Sequence, residues 1–279
     1  MKVLYFGGGL GNQIFEYTFY LALKDRFPKE RIYGVYPNFK FREHIGGFEI
    51  EEIFNVKFPP TSLKAKFFIV LVFFYKKMFP KTRLCSLHST NVNWDAIVFN
   101  AFKSDLSFYE NRNDWISFRP KVYAHPKPNQ YNAALISNLE TCNSVGIHVR
   151  RGDFLSSKYC DILANIATLG YYQKAIELIK GRFSASHFFV FSDDIEWCKS
   201  HLSIPNDTVY VDWNTGKDSY IDLYLMTHAK ANIIANSTFS YWGAYLNKNN
   251  PIVIYPKKWI NANYYPNIFP VDWIGLTSE

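Results

Sequence analysis

The sequence predicts an α/β fold whose parallel sheets carry helices on both faces. The opening residues read as strand, glycine loop and helix, the start of an α/β unit. The second half alternates short apolar runs with helical patterns, the rhythm of β-α-β crossovers. Polar residues gather directly after several of those runs, at the strand ends where such sheets bind ligands. A length of 279 residues allows one large domain or two modest ones, at about 100–200 residues each.

Lys2–Phe6 is a short apolar strand, followed by Gly7-Gly8-Gly9-Leu10-Gly11. A helical pattern runs over about 12–27, with Ile14, Phe15, Thr18, Leu21 and Leu23 on its apolar side. Asn12 is the expected N-cap, with Phe15 and Glu16 in the first turn. Arg31–Tyr36 reads as the next strand; residues 37–128 mix prolines, aromatics and short apolar runs without a clean period. The later elements are a helix over 130–142, strand Ser144–Val149, a helix near 170–180, strand His187–Phe191 and a helix over 194–201. Strand Thr208–Val211, a helix over 217–230, strand Ala231–Ala235, a helix over 239–247 and strand Ile252–Tyr255 complete the series.

A composition of 48% hydrophobic and 20% charged residues excludes a disordered chain. The aromatic share of 19% fits thick cores and surfaces that stack on flat ligands or sugar faces. Cys85, Cys142, Cys160 and Cys198 are scattered without a C-x-x-C, which argues against a zinc ribbon and fits a reducing compartment. The net charge of +7 is local. No acidic residue stands between Glu52 and Asp95, while Lys57, Lys64, Lys66, Lys76, Lys77, Lys81 and Arg83 do. Elsewhere the two signs balance, so the basic pI does not point to nucleic acid.

Within that stretch, Phe67–Tyr75 reads FFIVLVFFY, far short of the roughly 20 residues a membrane span needs. Two readings stay open: a buried helix or strand of the first domain, or a hydrophobic-basic patch over residues 57–83 resting on an anionic membrane. Lys2 is followed by VLYF and glycines, so no secretory signal is expected. The expected location is the cytoplasm, with a peripheral place at the inner face of the cytoplasmic membrane as the alternative.

The chemistry concentrates at three strand ends. His148-Val149-Arg150-Arg151-Gly152-Asp153 places two arginines where an anion would offset their burial, and guanidinium groups match phosphate oxygens. His148 and Arg150 alternate onto one side of the strand. The competing reading is a surface salt bridge from Arg150 or Arg151 to Asp153. Asn236-Ser237-Thr238-Phe239 opens a helix with hydroxyls and backbone N–H groups, an anion site or plain N-capping by Ser237 or Thr238. Phe191-Ser192-Asp193-Asp194 offers one carboxylate to cap a helix and another to a base or ribose. The glycine loop fits neither G-x-G-x-x-G nor Walker A, and reads as a site wall or a tight turn. No D-x-D, H-E-x-x-H or G-x-S-x-G is present.

Gly8–Gln13, His148–Asp153, Phe191–Trp197 and Asn236–Ala244 together resemble the four signatures of the bacterial α-1,2-fucosyltransferases, glycosyltransferase family 11, in order and spacing. Tyr241 departs from the family's usual Trp. The resemblance implies a GT-B-type architecture of two Rossmann-like domains facing across a cleft. These would span residues 1–135 on the acceptor side and 136–279 on the donor side, with the C-terminal tail returning to the first. It implies GDP-β-L-fucose as donor, O2 of a terminal galactose in a surface glycan as acceptor, inversion, and no metal. Arg150 would hold the β-phosphate, with Arg151 beside it in the donor site. His148 and one of Asp193 and Asp194 would hold guanine. Ser237, Thr238 and Phe239 would line the diphosphate, Gly9 and Gly11 would help bind the donor, and Asn12 would lie at the reacting centre. Asp153 is the first candidate general base; Asn12 or the leaving phosphate could serve instead. Alternative functions are a transferase for another GDP-sugar or linkage, and a non-catalytic nucleotide- or glycan-binding protein.

Overall fold

The computed structural model defines residues 1–35, 50–54, 56–87, 92–100, 129–205, 207–262 and 268–277. The chain divides into two units, Met1–His125 and Pro126–Glu279. The division falls before the expected 135/136 boundary, which would have cut through the helix Gln130–Thr141. Leu135 and Leu139 of that helix are buried with Phe189 and Phe191 of the second unit, which is why the helix belongs there.

The first unit holds β1 (Lys2–Tyr5), α1 (Leu10–Arg26), β2 (Ile32–Val35), α2 (Ile50–Ile53), α3 (Leu63–Met78), β3 (Cys85–Leu87) and β4 (Val98–Asn100). The strands form a parallel sheet in the order β2-β1-β4-β3. Alternation sends Val3, Val35, Cys85 and Val98 to one face, where Ala65, Ile69 and Val72 of α3 cover them. Phe99 points to the other face and meets Phe19 of α1 at 5.5 Å between ring centroids. Helices on both sides explain why Val3 and Leu4 of β1 and Val98 and Phe99 of β4 are apolar and buried on both faces.

The glycine loop shifts the first helix. Gly8 takes φ +82, a left-handed conformation that turns the chain at once, so α1 begins at Leu10 with Gly9 as N-cap. Asn12, expected as the cap, lies inside the first turn, and Gly9 makes no side-chain capping bond. Glu16 consequently sits a turn further along than expected. The apolar segment 67–75 lies within α3, which starts on Ser62, whose Oγ accepts from Ala65 N at 3.0 Å.

The second unit contains α4 (Gln130–Thr141), β5 (Asn143–Val149), α5 (Cys160–Leu163), α6 (Leu169–Lys180), β6 (Ser186–Ser192), α7 (Ile195–His201) and β7 (Val209–Val211). It continues through α8 (Tyr220–Met226), β8 (Ala231–Ile233), α9 (Thr238–Tyr245), β9 (Ile252–Pro256) and β10 (Ile274–Leu276). Its six parallel strands run β10-β9-β8-β5-β6-β7. Counted from β5, this is the doubly wound order 3-2-1-4-5-6, which reverses between β5 and β8. Val145, Ile147 and Val149 face the core under α6, while Phe189 and Phe191 face α4 and α8.

One expectation changes here. The helix expected over 217–230 is a 3-10 turn at Gly216–Asp218 followed by α8, which stops at Met226. Asn232 Nδ2 and Asn247 Nδ2 both donate to Met226 O at 3.2 Å, and Asn247 Nδ2 donates to Ala229 O at 2.7 Å, so side chains end the helix and turn the chain into β8. Within the second unit the C-terminal segment pairs as β10 with β9. Among the described residues no helix is long and apolar enough to cross a membrane.

Candidate functional site

The strand order reverses between β5 and β8, and in such sheets ligands bind beyond the carboxyl ends of the two strands at that point. The end of β5 and the loop after it carry His148 to Asp153; the residues after β8 lead into α9. His148 is 5% exposed, and its ring centroid lies 5.4 Å from that of Phe239 at the start of α9. Its carbonyl accepts from Tyr172 OH at 3.0 Å. Burial, then the Arg150 charge, hold its pKa down at about 3, so the imidazole is neutral at physiological pH. Its Nδ1 is buried and makes no hydrogen bond to any of the described residues. Buried polar atoms in native structures nearly always have partners, so this nitrogen is suited to a ligand's polar edge.

The arginines are held by carboxylates from two loops. Arg150 Nε donates to Asp153 Oδ1 at 2.9 Å, and Arg150 NH1 lies 3.2 Å from Asp193 Oδ2. Asp193 also accepts the backbone N–H of Arg151 at 2.9 Å and of Gly152 at 3.0 Å, one on each oxygen. A Cβ on Gly152 would lie 2.7 Å from Asp193 Oδ2, so the carboxylate fills the space that makes this position glycine. Asp194 caps α7 by accepting from Trp197 N at 3.2 Å and takes Arg151 Nε at 3.0 Å. The Arg151 guanidinium lies 3.8 Å from the Trp197 ring centroid.

Several of the expected residues make specific contacts with one another. Asp153 forms the salt bridge that orients Arg150, the competing reading of its role. Of Asp193 and Asp194, one expected at a base and the other at a helix cap, Asp194 caps α7, while both oxygens of Asp193 accept from the arginine loop. Arg151 has its Nε on Asp194 and its guanidinium over Trp197, while Arg150, directly after β5, rests on Asp153 and Asp193. Ser237 stands at the N-cap of α9 but makes no side-chain capping bond, so plain capping by its hydroxyl does not occur. Asn236 Nδ2 instead holds the carbonyls of Leu163 and Trp259, each at 3.1 Å. Tyr241, the departure from Trp, is fully buried and donates to Ile268 O at 2.9 Å.

Because Asp193 templates the loop, Asp193→Asn places an amide NH₂ or a half-empty acceptor against two backbone donors and a guanidinium. A shift of about 1 Å in a reacting group can cost on the order of 100-fold. We expect a loss of that size in kcat/KM with the circular-dichroism spectrum unchanged; near-normal kcat/KM would show that the loop holds itself.

In the first unit, Gly9, Gly11 and Asn12 belong to a second arrangement. Gln13 Nε2 donates to Gly8 O at 3.0 Å, and both Glu16 oxygens accept from Gly7 N at 3.0 Å. Glu16 is fully buried, which pushes its carboxyl well above the ordinary carboxylate range against the opposing pull of the Gly7 N–H. A Cβ on Gly8 would lie 2.5 Å from Asn12 Nδ2, so the Asn12 side chain lies over the loop. The glycine segment is a tight turn braced by the second turn of its own helix. The sequence did not single out Glu16 as a brace, nor Gly152 and Trp197 as site residues; all three depend on contacts that fold, not spacing, creates. Asp222 was also missed, and is buried on α8 beside Asn214.

A polar rim at the switch point of a doubly wound sheet stands where α/β units of this order take their ligands. The family model for Glycosyl transferase family 11 matches residues 124–277. An alpha-1,2-colitosyltransferase of Escherichia coli is 32% identical over 286 residues, covering 96% of each chain. The O-antigen biosynthesis glycosyltransferase WbnK of Escherichia coli is 35% identical over 138 residues, 49% of this chain and 46% of that one. A Mus musculus galactoside 2-alpha-L-fucosyltransferase, Sec1, is 27% identical over 141 residues, 48% of this chain and 38% of its own. The crystal structure of NodZ alpha-1,6-fucosyltransferase with GDP superposes with TM-score 0.52 at 12% identity, over 89% of this chain and 95% of that one. The chain belongs to glycosyltransferase family 11 and is a glycosyltransferase, with an α/β fold of the GT-B type.

Proposed function

We propose that the chain transfers L-fucose from GDP-β-L-fucose to O2 of a terminal galactose in a surface glycan, with inversion. The observation that supports it most is the pairing at the switch point of a neutral buried His148, with an unsatisfied Nδ1, and an Arg150 guanidinium held at the strand end. The names of the E. coli and mouse relatives support the linkage and the glycan class.

Breaking the glycosidic bond leaves charge on the β-phosphate of GDP. Arg150 is preoriented for such charge by Asp153 and Asp193, and a preset cation acts without reorganising during the reaction. His148 would meet the guanine, and Ser237, Thr238 and Phe239 the diphosphate, with the N-terminal N–H groups of α9 adding positive potential. The fucosyl ring gains oxocarbenium character as galactose O2 attacks from the opposite face. With Asp153 engaged by Arg150, the O2 proton leaves late, once the new bond has made that oxygen strongly acidic, and passes to water on the attacking face.

A second donor reading rests on the full-length relative, whose name carries colitose, the 3-deoxy counterpart of fucose. A site built to hydrogen-bond a hydroxyl rejects an analogue lacking it by up to about 10⁴–10⁵. The test is GDP release from GDP-fucose, GDP-colitose and GDP-mannose in EDTA, with lactose and a Galβ1,3-linked acceptor. Acceptor-dependent release from GDP-fucose supports the first reading. Preference for GDP-colitose moves the assignment to that donor, and preference for GDP-mannose or no turnover with any donor sinks both.

A further inference from the structure

We propose that the outer face of α3 docks on an anionic lipid bilayer, with the helix lying in the plane of its surface. The helix is apolar on two opposite sides. Ala65, Ile69 and Val72 are buried against the first sheet. At about 100° per residue, Leu63, Phe67, Val70, Leu71, Phe74 and Met78 fall in one arc opposite to them. Their exposures are 84%, 66%, 63%, 47%, 63% and 59%. Scattered exposed apolar residues need no explanation, but six on one helix face make a contiguous patch.

The edges of the patch select the occupant. Lys64 borders the arc on one side, and Lys66 and Lys77 on the other. The surrounding segment adds Lys57, Lys81 and Arg83 and has no acidic residue between Glu52 and Asp95. An apolar stripe rimmed by lysines is complementary to a surface with acyl chains below and anionic headgroups around it, where lysine stems bury and their ammonium groups stay at the headgroups. A second copy of this chain would bring like charge against like charge across that rim. The helix cannot span a bilayer. Its 16 residues reach about 24 Å at 1.5 Å each, against a core of roughly 30 Å, and its inner face is already committed to the sheet.

The inference does not depend on which sugar is transferred, and its test needs no turnover. The full-length protein is floated with vesicles of phosphatidylcholine alone, and of phosphatidylcholine with about one third phosphatidylglycerol, at low and high salt. Binding is expected only with phosphatidylglycerol, weakening at least tenfold as salt screens the lysines. A Lys64→Gln, Lys66→Gln, Lys77→Gln variant is expected to bind roughly 100-fold more weakly, about fivefold per lysine. A Phe67→Ser, Phe74→Ser variant is expected to lose at least tenfold, because it removes the inserting rings. These side chains face outward, so both variants should melt with the parent. No binding to phosphatidylglycerol vesicles at low salt overturns the proposal. So does binding that neither variant weakens, or a dimer in sedimentation that the phenylalanine variant dissolves while vesicles are ignored.

Discussion

Replacing Arg150 with alanine is expected to lower kcat by a factor on the order of 10²–10³, while GDP still binds and the fold persists. Removing one preset electrostatic donor typically costs about 2.7–4 kcal/mol in the transition state. Arg150 is suited to that role because three of its donor nitrogens already rest on fixed carboxylates, at 2.8–3.2 Å. The loop should survive the change, since Asp193 still accepts the backbone N–H groups of Arg151 and Gly152. Arg150→Lys keeps a charge but loses the planar fork, and should fall between alanine and the parent. Arg151→Ala gives the contrast. That side chain is spent on Asp194 and Trp197, so its loss should cost stability more than kcat. Single-turnover kinetics with saturating acceptor separate the cases. Near-normal kcat for Arg150→Ala, or a larger kcat loss for Arg151→Ala, would reverse the assignment.

The second unit was legible in the sequence because its strands are buried on both faces and its polar residues stand at their ends. Period and composition located β5, β6 and β8, and alternation put His148 and Arg150 on one side of β5. What stayed hidden were contacts between segments far apart in sequence. The clamp of Asp193 on Arg151 and Gly152 joins residues more than forty positions apart, and no local pattern announces it. Asp193 and Asp194 looked equivalent as neighbours; the start of α7 alone separates the helix cap from the loop clamp. The glycine loop was legible as a turn but not in register, because one left-handed residue, Gly8, moved the helix start ahead of Asn12. In α3 the period failed for another reason. Apolar residues circle the helix, so the pattern could not say which side the sheet would cover. Only the packing of Ala65, Ile69 and Val72 separates the inner face from the outer one. Of the two readings left open for that segment, burial against the sheet holds for the inner face, and the membrane reading is the proposal made for the exposed outer one.

Asp222→Asn is expected to stabilise the protein increasingly as pH rises from about 5 to 8. Burial pushes the Asp222 carboxyl up to about 8, against the opposing hydrogen bond from Asn214. Its unfolded value lies near 3.9. The folded state therefore holds the proton more tightly than the unfolded one. The stability it contributes is complete below about pH 4 and is lost as pH climbs through 8, at up to about 1.4 kcal/mol per unit. By pH 7 the accumulated cost is on the order of 4 kcal/mol. The amide has the shape of the neutral acid and can still accept from Asn214 Nδ2, which lies 2.9 Å from Asp222 Oδ1. It also preserves the buried chain in which Asn214 and Asn132 bond to each other and Trp213 Nε1 donates to Asn132 Oδ1 at 2.8 Å. Removing a titrating group while keeping its contacts should cancel the pH dependence without creating an unsatisfied partner. Urea midpoints of parent and variant at pH 5, 6, 7 and 8 measure it: the gap should open steadily in favour of the variant. A constant gap would mean that Asp222 is ionised in the folded state across this range. A variant less stable at every pH would mean that the carboxylate, and not the neutral acid, is what the network holds.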